Sequence, residues 1–448
     1  MPSGETSAAT RTYHIEGGHP VVGEITSLGA KNFATKAMVA ALLGDTPTIL
    51  TNVPAIGDTQ ITRELLAAIG VSFKDLPDGL VIDPGRLVSF EVPLAHSGSN
   101  RVPILLLGAL LHRGDRVSVP VLGGCAIGER RVDFHVEAIE RFGGVVQTTE
   151  LGFNAFRRGR LHGTQVRLPY PSVGATETCI YLGVLAEGET IISNAAAEPE
   201  ILELVTMLRA MGAIIFTRSD RELHIEGVDR LRGTTMAILG DRIEAASWAC
   251  LAAACGGEIL VRGVRPDILG NFLSKFRSVG GGFDLVGPHD LRFYRDRPLT
   301  PTVIETDVYP GFSTDWQQPF AILLTQSQGV SVIHETVYEN RFGYLEALAK
   351  LGAVTQVTGE CLGGLPCRYK GRGHQHSAII AGGTRLTAVD ELRVPDLRAG
   401  LAYVIAAAVA AGRTRVTGVE LIERGYGDIV PRLAAMGLNI EVEVEDGS

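Results

Sequence analysis

The chain has 448 residues, 45% of them hydrophobic and 20% charged, with a formal net charge of −9. The length suggests roughly two to four globular domains, and the negative charge argues against nucleic acid as a partner, because phosphate contacts need a basic surface. The polar start lacks the features of a signal peptide and no apolar run is long enough to span a membrane, so we expect a cytoplasmic protein with reduced thiols and no membrane partner.

A short strand opened by a small turn recurs six times along the chain. Its copies begin at residues 46, 113, 187, 256, 328 and 411, which are 67 to 83 residues apart. Each copy is followed by an amphipathic helical pattern that ends in glycine, which is a helix C-cap signal, and then by a new strand. These glycines are Gly70, Gly143, Gly212, Gly280, Gly352 and Gly437.

A second helix, apolar on nearly all sides, precedes each recurring strand, and a helix without a polar face is buried. The six segments are 37–43, 104–111, 180–186, 248–254, 320–324 and 401–410. One further strand completes each unit. Six such units cannot share one core, so the sequence predicts an α/β protein of two domains with three units each, the helices packed inside and the sheets outside.

Polar residues stand immediately before each buried helix, where unpaired N–H groups and the helix dipole attract anions. Several of these residues are candidate N-caps, namely Asn32, Thr176, Thr314 and Asp396. Others are cations, which the positive end of a helix disfavours: Lys31, Arg101, Arg242 and Arg398. Such cations indicate a bound anion, although Asp241 or Glu244 could instead pair with Arg242.

The stretch from Gly123 to His135 carries the most chemistry. Cys125 lies between glycines, and Arg130 and Arg131 follow it. Glycines let a loop approach a ligand closely, and nearby guanidinium groups favour a thiolate. The alternative is a cysteine in a turn with arginines on a solvated face. The spacing Cys361-x5-Cys367 is too isolated to indicate a metal site, and we predict neither metal nor cofactor.

Together these motifs resemble the enolpyruvyl transferase family from about residue 13 to about residue 442. The resemblance implies a two-domain inside-out α/β barrel, in which each domain contains three inverse αβαββ units with pseudo-threefold symmetry. It also implies a discontinuous domain of residues 1–30 plus 240–448 and a domain of residues 31–239 that carries the Cys125 loop. The motifs that carry the resemblance begin at Gly29, Gly123, Pro171, Asn194, Gly240, Thr314, Glu335, Asp396 and Arg424.

The resemblance is to the sugar-nucleotide branch of the family. It implies transfer of the enolpyruvyl group of phosphoenolpyruvate to the 3-hydroxyl of UDP-N-acetylglucosamine with release of phosphate, the first committed step of peptidoglycan synthesis. Asp315 matches the general base. Cys125 matches the thiol that protonates the methylene carbon, forms an adduct with phosphoenolpyruvate and is alkylated by fosfomycin.

The resemblance also implies the binding residues. The phosphoenolpyruvate positions are Lys31, Asn32, Arg130, Arg341, Arg398 and Arg424. The UDP-N-acetylglucosamine positions are Arg101, Arg130, Arg131, Val132, Asp133, Phe134, Ser172, Val173, Gly174, Asp315 and Val337.

Two departures from the family pattern leave the acceptor open. Arg131 stands where the family usually has proline, and Leu28 stands where a serine often precedes the Gly-Ala-Lys-Asn motif. A paralogue that uses another nucleotide, such as UMP in nucleoside-antibiotic biosynthesis, is therefore the alternative. The Gly-Gly-Cys-Ala-Ile-Gly loop disfavours the sister reaction on shikimate 3-phosphate, and the presence of Asp315 and the arginines disfavours a catalytically silent scaffold. The sequence does not indicate the oligomeric state.

Overall fold

The computed structural model of the chain describes residues 10–123, 132–218, 221–339, 341–395 and 400–445. The helices are α1 (Lys31–Ala40), α2 (Gly57–Ala68), α3 (Val102–Leu110), α4 (Asp133–Arg141), α5 (Val173–Gly183), α6 (Pro199–Ala210), α7 (Arg242–Cys255), α8 (Gly270–Ser278), α9 (Gln317–Thr325), α10 (Tyr344–Lys350), α11 (Gly400–Val409), α12 (Glu420–Tyr426) and α13 (Val430–Ala435). Short 3-10 helices cover Ala41–Leu43, Leu94–His96, Pro266–Leu269 and Thr314–Trp316.

The strands, in chain order, are β1 (Thr10–Gly17), β2 (Val22–Thr26), β3 (Thr48–Thr51), β4 (Ser72–Leu76), β5 (Gly79–Asp83), β6 (Arg116–Pro120), β7 (Gly144–Thr149), β8 (Gly152–Arg157), β9 (Gln165–Arg167), β10 (Glu189–Ser193), β11 (Ile214–Arg218), β12 (Glu222–Glu226), β13 (Thr235–Ala237), β14 (Glu258–Arg262), β15 (Gly281–Gly287), β16 (Asp290–Arg295), β17 (Val303–Glu305), β18 (Val330–His334), β19 (Val354–Thr358), β20 (Ser377–Ala381), β21 (Leu392–Arg393), β22 (Gly412–Thr417) and β23 (Asn439–Glu445).

Contacts between residues divide the chain into two compact units. Of the described residues, the terminal unit holds 10–27 and 240–445, and the central unit holds 28–123 and 132–239. The chain therefore leaves the terminal unit after Ser27 and returns to it at Gly240.

The terminal unit contains three sheets and three mutually packed inner helices. The strand orders are β21-β22-β1-β23, β15-β16-β14-β2 and β17-β18-β20-β19. Helices α7, α9 and α11 each pack against the other two. Because α7 has no polar face beyond its first turn, it is buried from Ala245 to Ala254.

The central unit repeats the same plan. Its sheets have the strand orders β13-β3-β5-β4, β6-β8-β7 and β11-β12-β10-β9, and α3 packs against both α1 and α5. All nine residues of α3 are buried. Each fully buried leucine or isoleucine side chain in such a helix stabilises the fold by about 1.5–3 kcal/mol relative to an exposed one.

The recurring unit of the sequence is confirmed as a recurring unit of structure. Helix α1, strand β3, helix α2 and strands β4 and β5 follow one another, and the order repeats from α3, α5, α7 and α9. In the sixth copy the amphipathic helix is split into α12 and α13, and β1 from the start of the chain pairs with β22 and β23. All six glycines at the predicted helix ends have positive φ, between 80° and 109°, a conformation that favours glycine.

The buried helices begin earlier than the apolar patterns predict. Asn32 and Thr176 lie inside the first turns of α1 and α5, and the N-cap of α5 is Ser172, whose Oγ accepts a hydrogen bond from the Ala175 amide. The prediction that Asn32 and Thr176 are N-caps is therefore wrong, since both residues lie within a first turn, where backbone N–H groups lack partners inside the helix. Thr314 likewise lies in the 3-10 turn that Ser313 caps. Asp396, the fourth predicted N-cap, lies outside the described residues.

Within the described part of the chain, no helix has both the length and the apolar character that a membrane span requires.

Candidate active site

The predicted site residues fall into three groups. Four lie outside the described residues: Cys125, Arg130, Arg131 and Arg398. In the terminal unit, the structure describes Asp315, Val337, Arg341 and Arg424. In the central unit, it describes Lys31, Asn32, Arg101, Val132, Asp133, Phe134, Ser172, Val173 and Gly174.

Asp315 and Arg341 form an ion pair in the terminal unit. Nη2 of Arg341 lies 2.6 Å from Oδ1 of Asp315 and also donates to the backbone carbonyl of Thr314 at 3.2 Å. The Arg341 side chain is 1% exposed and that of Asp315 is 13% exposed. A charged pair that is almost fully buried needs good hydrogen-bond geometry to offset the cost of desolvation. The two hydrogen bonds of Arg341 offset part of that cost. Arg424, near the end of α12, is half-buried.

Two nitrogens of the Arg341 guanidinium keep unused donor capacity. Nε and Nη1 are buried and have no hydrogen-bond partner among the described residues. The guanidinium carbon lies 5.7 Å from the ring centroid of Tyr338, within the range of a cation–π contact. Because leaving buried donors unsatisfied costs free energy, this arrangement suits an anionic group with two acceptor oxygens.

Glu335, which the sequence analysis did not single out as a site residue, connects Asp315 with Val337. Its carboxylate is fully buried and accepts hydrogen bonds from the amides of Val337 and Tyr338, at 2.6 and 2.8 Å. Its other oxygen accepts from Thr314 Oγ1 at 2.8 Å and from the side-chain amide of Gln317. One carboxylate therefore fixes both the turn that carries Asp315 and the segment that carries Val337.

Arg242, expected to attract an anion or to pair with an acidic neighbour, lies over an aromatic ring. Its guanidinium carbon is 5.3 Å from the ring centroid of Trp316, and the Trp316 indole donates to the Arg242 carbonyl at 3.3 Å. Asp241 caps α7 by accepting from two backbone amides, and Glu244 accepts from Trp248 and pairs with Arg432.

In the central unit, Lys31 opens α1 and has a protein anion as its partner. Its Nζ lies 2.7 Å from Oδ2 of Asp58, in the first turn of α2. The expectation that a bound ligand must supply the anion is therefore wrong for Lys31. Asn32 follows in the same turn and is half-buried.

The tips of α4 and α5 meet at His135. The His135 imidazole contacts Gly174 so closely that a Cβ there would lie 3.0 Å from its Cε1 atom, and its Nδ1 lies 2.8 Å from Thr178 Oγ1. Burial, and to a smaller extent the charge of Arg101, lowers the pKa of His135 to about 3. His135 is thus a neutral ring, and the Arg101 charge acts on it from the start of α3. The sequence analysis noted this imidazole without giving it a role.

The remaining predicted residues of the central unit occupy the same helix tips. Val132 is the N-cap of α4, Asp133 accepts from the Phe134 amide at 3.1 Å, and Ser172 caps α5. His135 in the first turn of α4 contacts Gly174 in the first turn of α5, and the charge of Arg101 at the start of α3 acts on the same ring. These three segments therefore form one cluster of helix N-termini, where backbone N–H groups suit anionic oxygens. The structure brings these predicted residues together within their unit.

Comparison with known proteins identifies the family of the chain. The family model described as EPSP synthase (3-phosphoshikimate 1-carboxyvinyltransferase) matches residues 15–433. The UDP-N-acetylglucosamine 1-carboxyvinyltransferase of Protochlamydia amoebophila is 46% identical over 440 residues, which cover 96% of this chain and 94% of that protein. The Chlamydia pneumoniae protein of the same name is 46% identical over 425 residues, or 94% of this chain and 92% of its own.

Among solved structures, the enolpyruvyl transferase NikO from Streptomyces tendae aligns with a TM-score of 0.85 at 22% identity. The alignment covers 97% of this chain and 99% of that one. It shows a common fold, and the predicted two-domain α/β architecture is confirmed. The chain therefore belongs to the enolpyruvyl transferase family and is a transferase.

Proposed function

We propose that this enzyme transfers the enolpyruvyl group of phosphoenolpyruvate to the 3-hydroxyl of UDP-N-acetylglucosamine and releases phosphate. The observation that carries the proposal is 46% identity, over 96% of the chain, to a relative named for this activity. On this basis, the enzyme performs the first committed step of peptidoglycan synthesis.

In this proposal Asp315 is the general base for the acceptor hydroxyl. Three features support the role: an exposed fraction of 13%, an ion pair with Arg341, and a backbone amide that donates to Ser313 Oγ. A base must be held within hydrogen-bond reach of the proton that it removes. The Arg341 ion pair keeps the carboxylate ordered before substrate arrives.

Arg341 and Lys31 bind phosphoenolpyruvate in this proposal, together with Asn32 and Arg424. The two unpartnered nitrogens of Arg341 suit a carboxylate, whereas the Lys31 ammonium, already beside Asp58, suits phosphate as a point charge. Fixed cations of this kind stabilise charge that develops in a transition state because they need no reorganisation. Cys125, Arg130, Arg131 and Arg398, outside the described residues, are assigned to the proton transfer and substrate contacts that the family resemblance implies.

The helix tips of the central unit bind the nucleotide sugar in this proposal. The backbone amides at the starts of α4 and α5 and the guanidinium of Arg101 suit diphosphate oxygens. Val337, held by Glu335 through its backbone amide, is assigned to the same substrate because the family resemblance implies it. We further propose that the enzyme works in the cytoplasm, since all five described cysteines are free thiols, as is usual in a reducing compartment.

The test is release of phosphate from phosphoenolpyruvate by the purified enzyme with three acceptors in parallel: UDP-N-acetylglucosamine, UMP and shikimate 3-phosphate. We expect turnover with the sugar nucleotide alone, and a mixture without acceptor is the control. Faster turnover with UMP would move the assignment to the alternative left open by Arg131 and Leu28. Faster turnover with shikimate 3-phosphate would overturn the choice of branch.

A further inference from the structure

Four metal-ligating side chains cluster in the terminal unit, outside the residues assigned to catalysis. They are His334, Cys361, Cys367 and His376, and one donor atom of each lies within 4.8 Å of the other three. Both imidazoles are fully buried, both cysteines are half-buried, and both thiols are free. Two thiols and two imidazoles are the donor set of structural zinc sites.

The strands bring the two histidines together. His334 ends β18, and His376 comes directly before β20, which pairs antiparallel with β18 so that His334 faces Ser377. The two imidazole centroids are 5.4 Å apart. The cysteines lie on the segment between β19 and β20, which folds back over this end of the sheet. The two histidines thus lie at the end of the sheet, and the loop between β19 and β20 supplies the two sulfur atoms.

Each histidine presents one ring nitrogen to the cluster. Nδ1 of His376 lies 2.7 Å from the carbonyl oxygen of His374, so this nitrogen carries the proton and Nε2 has the lone pair. That Nε2 lies 3.3 Å from Cys361 Sγ. Nδ1 of His334 faces a Glu305 oxygen at 3.4 Å, while its Nε2 is buried without a hydrogen-bond partner among the described residues. Carbonyl and carboxylate partners on the second nitrogen are usual for metal-bound histidines.

The spacing of the donor atoms agrees with tetrahedral coordination. Bonds of about 2.3 Å to sulfur and about 2.0–2.1 Å to nitrogen place the ligands about 3.3–3.8 Å from one another. The 3.3 Å between His376 Nε2 and Cys361 Sγ lies in that range, and the outer limit of 4.8 Å requires a contraction of about 1 Å. We propose that His334, Cys361, Cys367 and His376 bind one Zn²⁺ ion as a closed, structural four-ligand site.

The loop around the cluster is shaped to fit this framework. Glu305 accepts a hydrogen bond from the Leu365 amide at 2.7 Å, and Gly363 passes so close that a Cβ there would overlap Glu305 and His334. Further along, the Tyr369 hydroxyl donates to the Val337 carbonyl at 2.7 Å. Zinc would therefore fix a loop that contacts the segment carrying Val337. The metal proposal rests on the four ligands alone and is independent of the proposed function.

The first test is the metal content of the full chain, purified without added chelator and analysed by inductively coupled plasma mass spectrometry. We expect about one zinc per chain, lost in the Cys361→Ser/Cys367→Ser variant and retained in Cys255→Ser. The control removes a thiol that lies outside the cluster and contacts the Ala408 carbonyl. Zinc that survives in the double variant would overturn the assignment, as would wild-type protein without zinc.

A second measurement on the wild-type chain removes the dependence on a variant that could fail to fold. Chelator-treated protein is titrated with Co²⁺, and we expect thiolate-to-cobalt charge-transfer bands and intense d–d bands of a tetrahedral site, abolished by one equivalent of Zn²⁺. Absence of these bands would contradict the proposal. A Cys361–Cys367 disulfide in freshly purified protein, seen as a loss of two hydrogens in the peptide mass, would do so too.

Discussion

Replacing Glu335 by glutamine tests whether one buried carboxylate organises the candidate site. Glutamine keeps the size and can retain the acceptor for the Val337 and Tyr338 amides. Its NH₂ group, however, would stand where an oxygen now accepts from Gln317 and Thr314. The NH₂ group of the new glutamine would then face the side-chain NH₂ group of Gln317, so that charge-assisted hydrogen bond is lost. The Thr314 hydroxyl, which now donates to Glu335, would have to accept a hydrogen bond instead.

The magnitude follows from these bonds. A hydrogen bond to a charged group contributes about 1.5–3 kcal/mol, so we expect Glu335→Gln to lower the free energy of unfolding by about 3 kcal/mol. The turn that carries Asp315 and the Val337 segment lose a common anchor, and we expect kcat/KM for UDP-N-acetylglucosamine to fall about tenfold or more, since small misplacements near a reacting group are costly.

The assay combines urea unfolding, followed by circular dichroism, with steady-state phosphate release. Glu346→Gln is the matched control, because it makes the same change at an exposed position in the first turn of α10. For the control we expect a change of less than about 0.5 kcal/mol. If Glu335→Gln changed the unfolding free energy by less than about 1 kcal/mol and left kcat/KM intact, the organising role of Glu335 would be refuted.

Four further predictions concern single residues. Asp315→Asn should abolish phosphate release while calorimetry still detects sugar-nucleotide binding; retained turnover would remove Asp315 as the base. Cys125→Asp should resist inactivation by fosfomycin with some activity kept, and inactivation that persists would relocate the labelled thiol. Asp58→Asn should raise KM for phosphoenolpyruvate roughly two- to fivefold, because Lys31 loses the partner that holds it, whereas a lower KM would show that Asp58 competes with substrate. Burial lowers the pKa of His135 from 6.5 to about 3, so the neutral ring contributes its full stabilisation above pH 6.5. As the pH falls from 6.5 toward 3, the free energy of unfolding decreases by about 1.4 kcal/mol per pH unit. Urea midpoints across this range should be less pH-dependent in His135→Gln than in the wild type.

The repeat could be predicted from the sequence because the residues that mark it lie next to the elements that they define. A glycine needed for positive φ lies within two residues of the helix that it ends, as at Gly70 after α2. An apolar helix shows its burial in its own composition, as α3 does. The helix starts were less readable, because Asn32 and Thr176 are polar and yet lie inside first turns. A hydrophobic pattern alone does not mark where hydrogen bonding begins.

The positioning residues were less readable because their partners are distant in sequence. Glu335 binds Thr314, 21 residues away, and His135 contacts Thr178, 43 residues away. A buried carboxylate and an exposed one look alike in a sequence. The same limit hid the four-ligand cluster, since only the pairing of β18 with β20 brings His334 and His376 to the two cysteines.

Two of the predicted cations, Lys31 and Arg341, show how far a positive charge in the candidate site implies a ligand. Lys31 stands at the positive end of α1, but the carboxylate of Asp58 lies 2.7 Å from its ammonium group, so the charge of Lys31 by itself does not require a bound anion. Arg341 also has a carboxylate partner, Asp315, yet two of its buried nitrogens have no acceptor among the described residues. Each unsatisfied donor costs about 1–3 kcal/mol, which an anionic ligand would recover. A buried cation therefore indicates a ligand only when some of its N–H donors lack an acceptor within the protein. By that criterion, Arg341 is a stronger indication of a bound anion than Lys31.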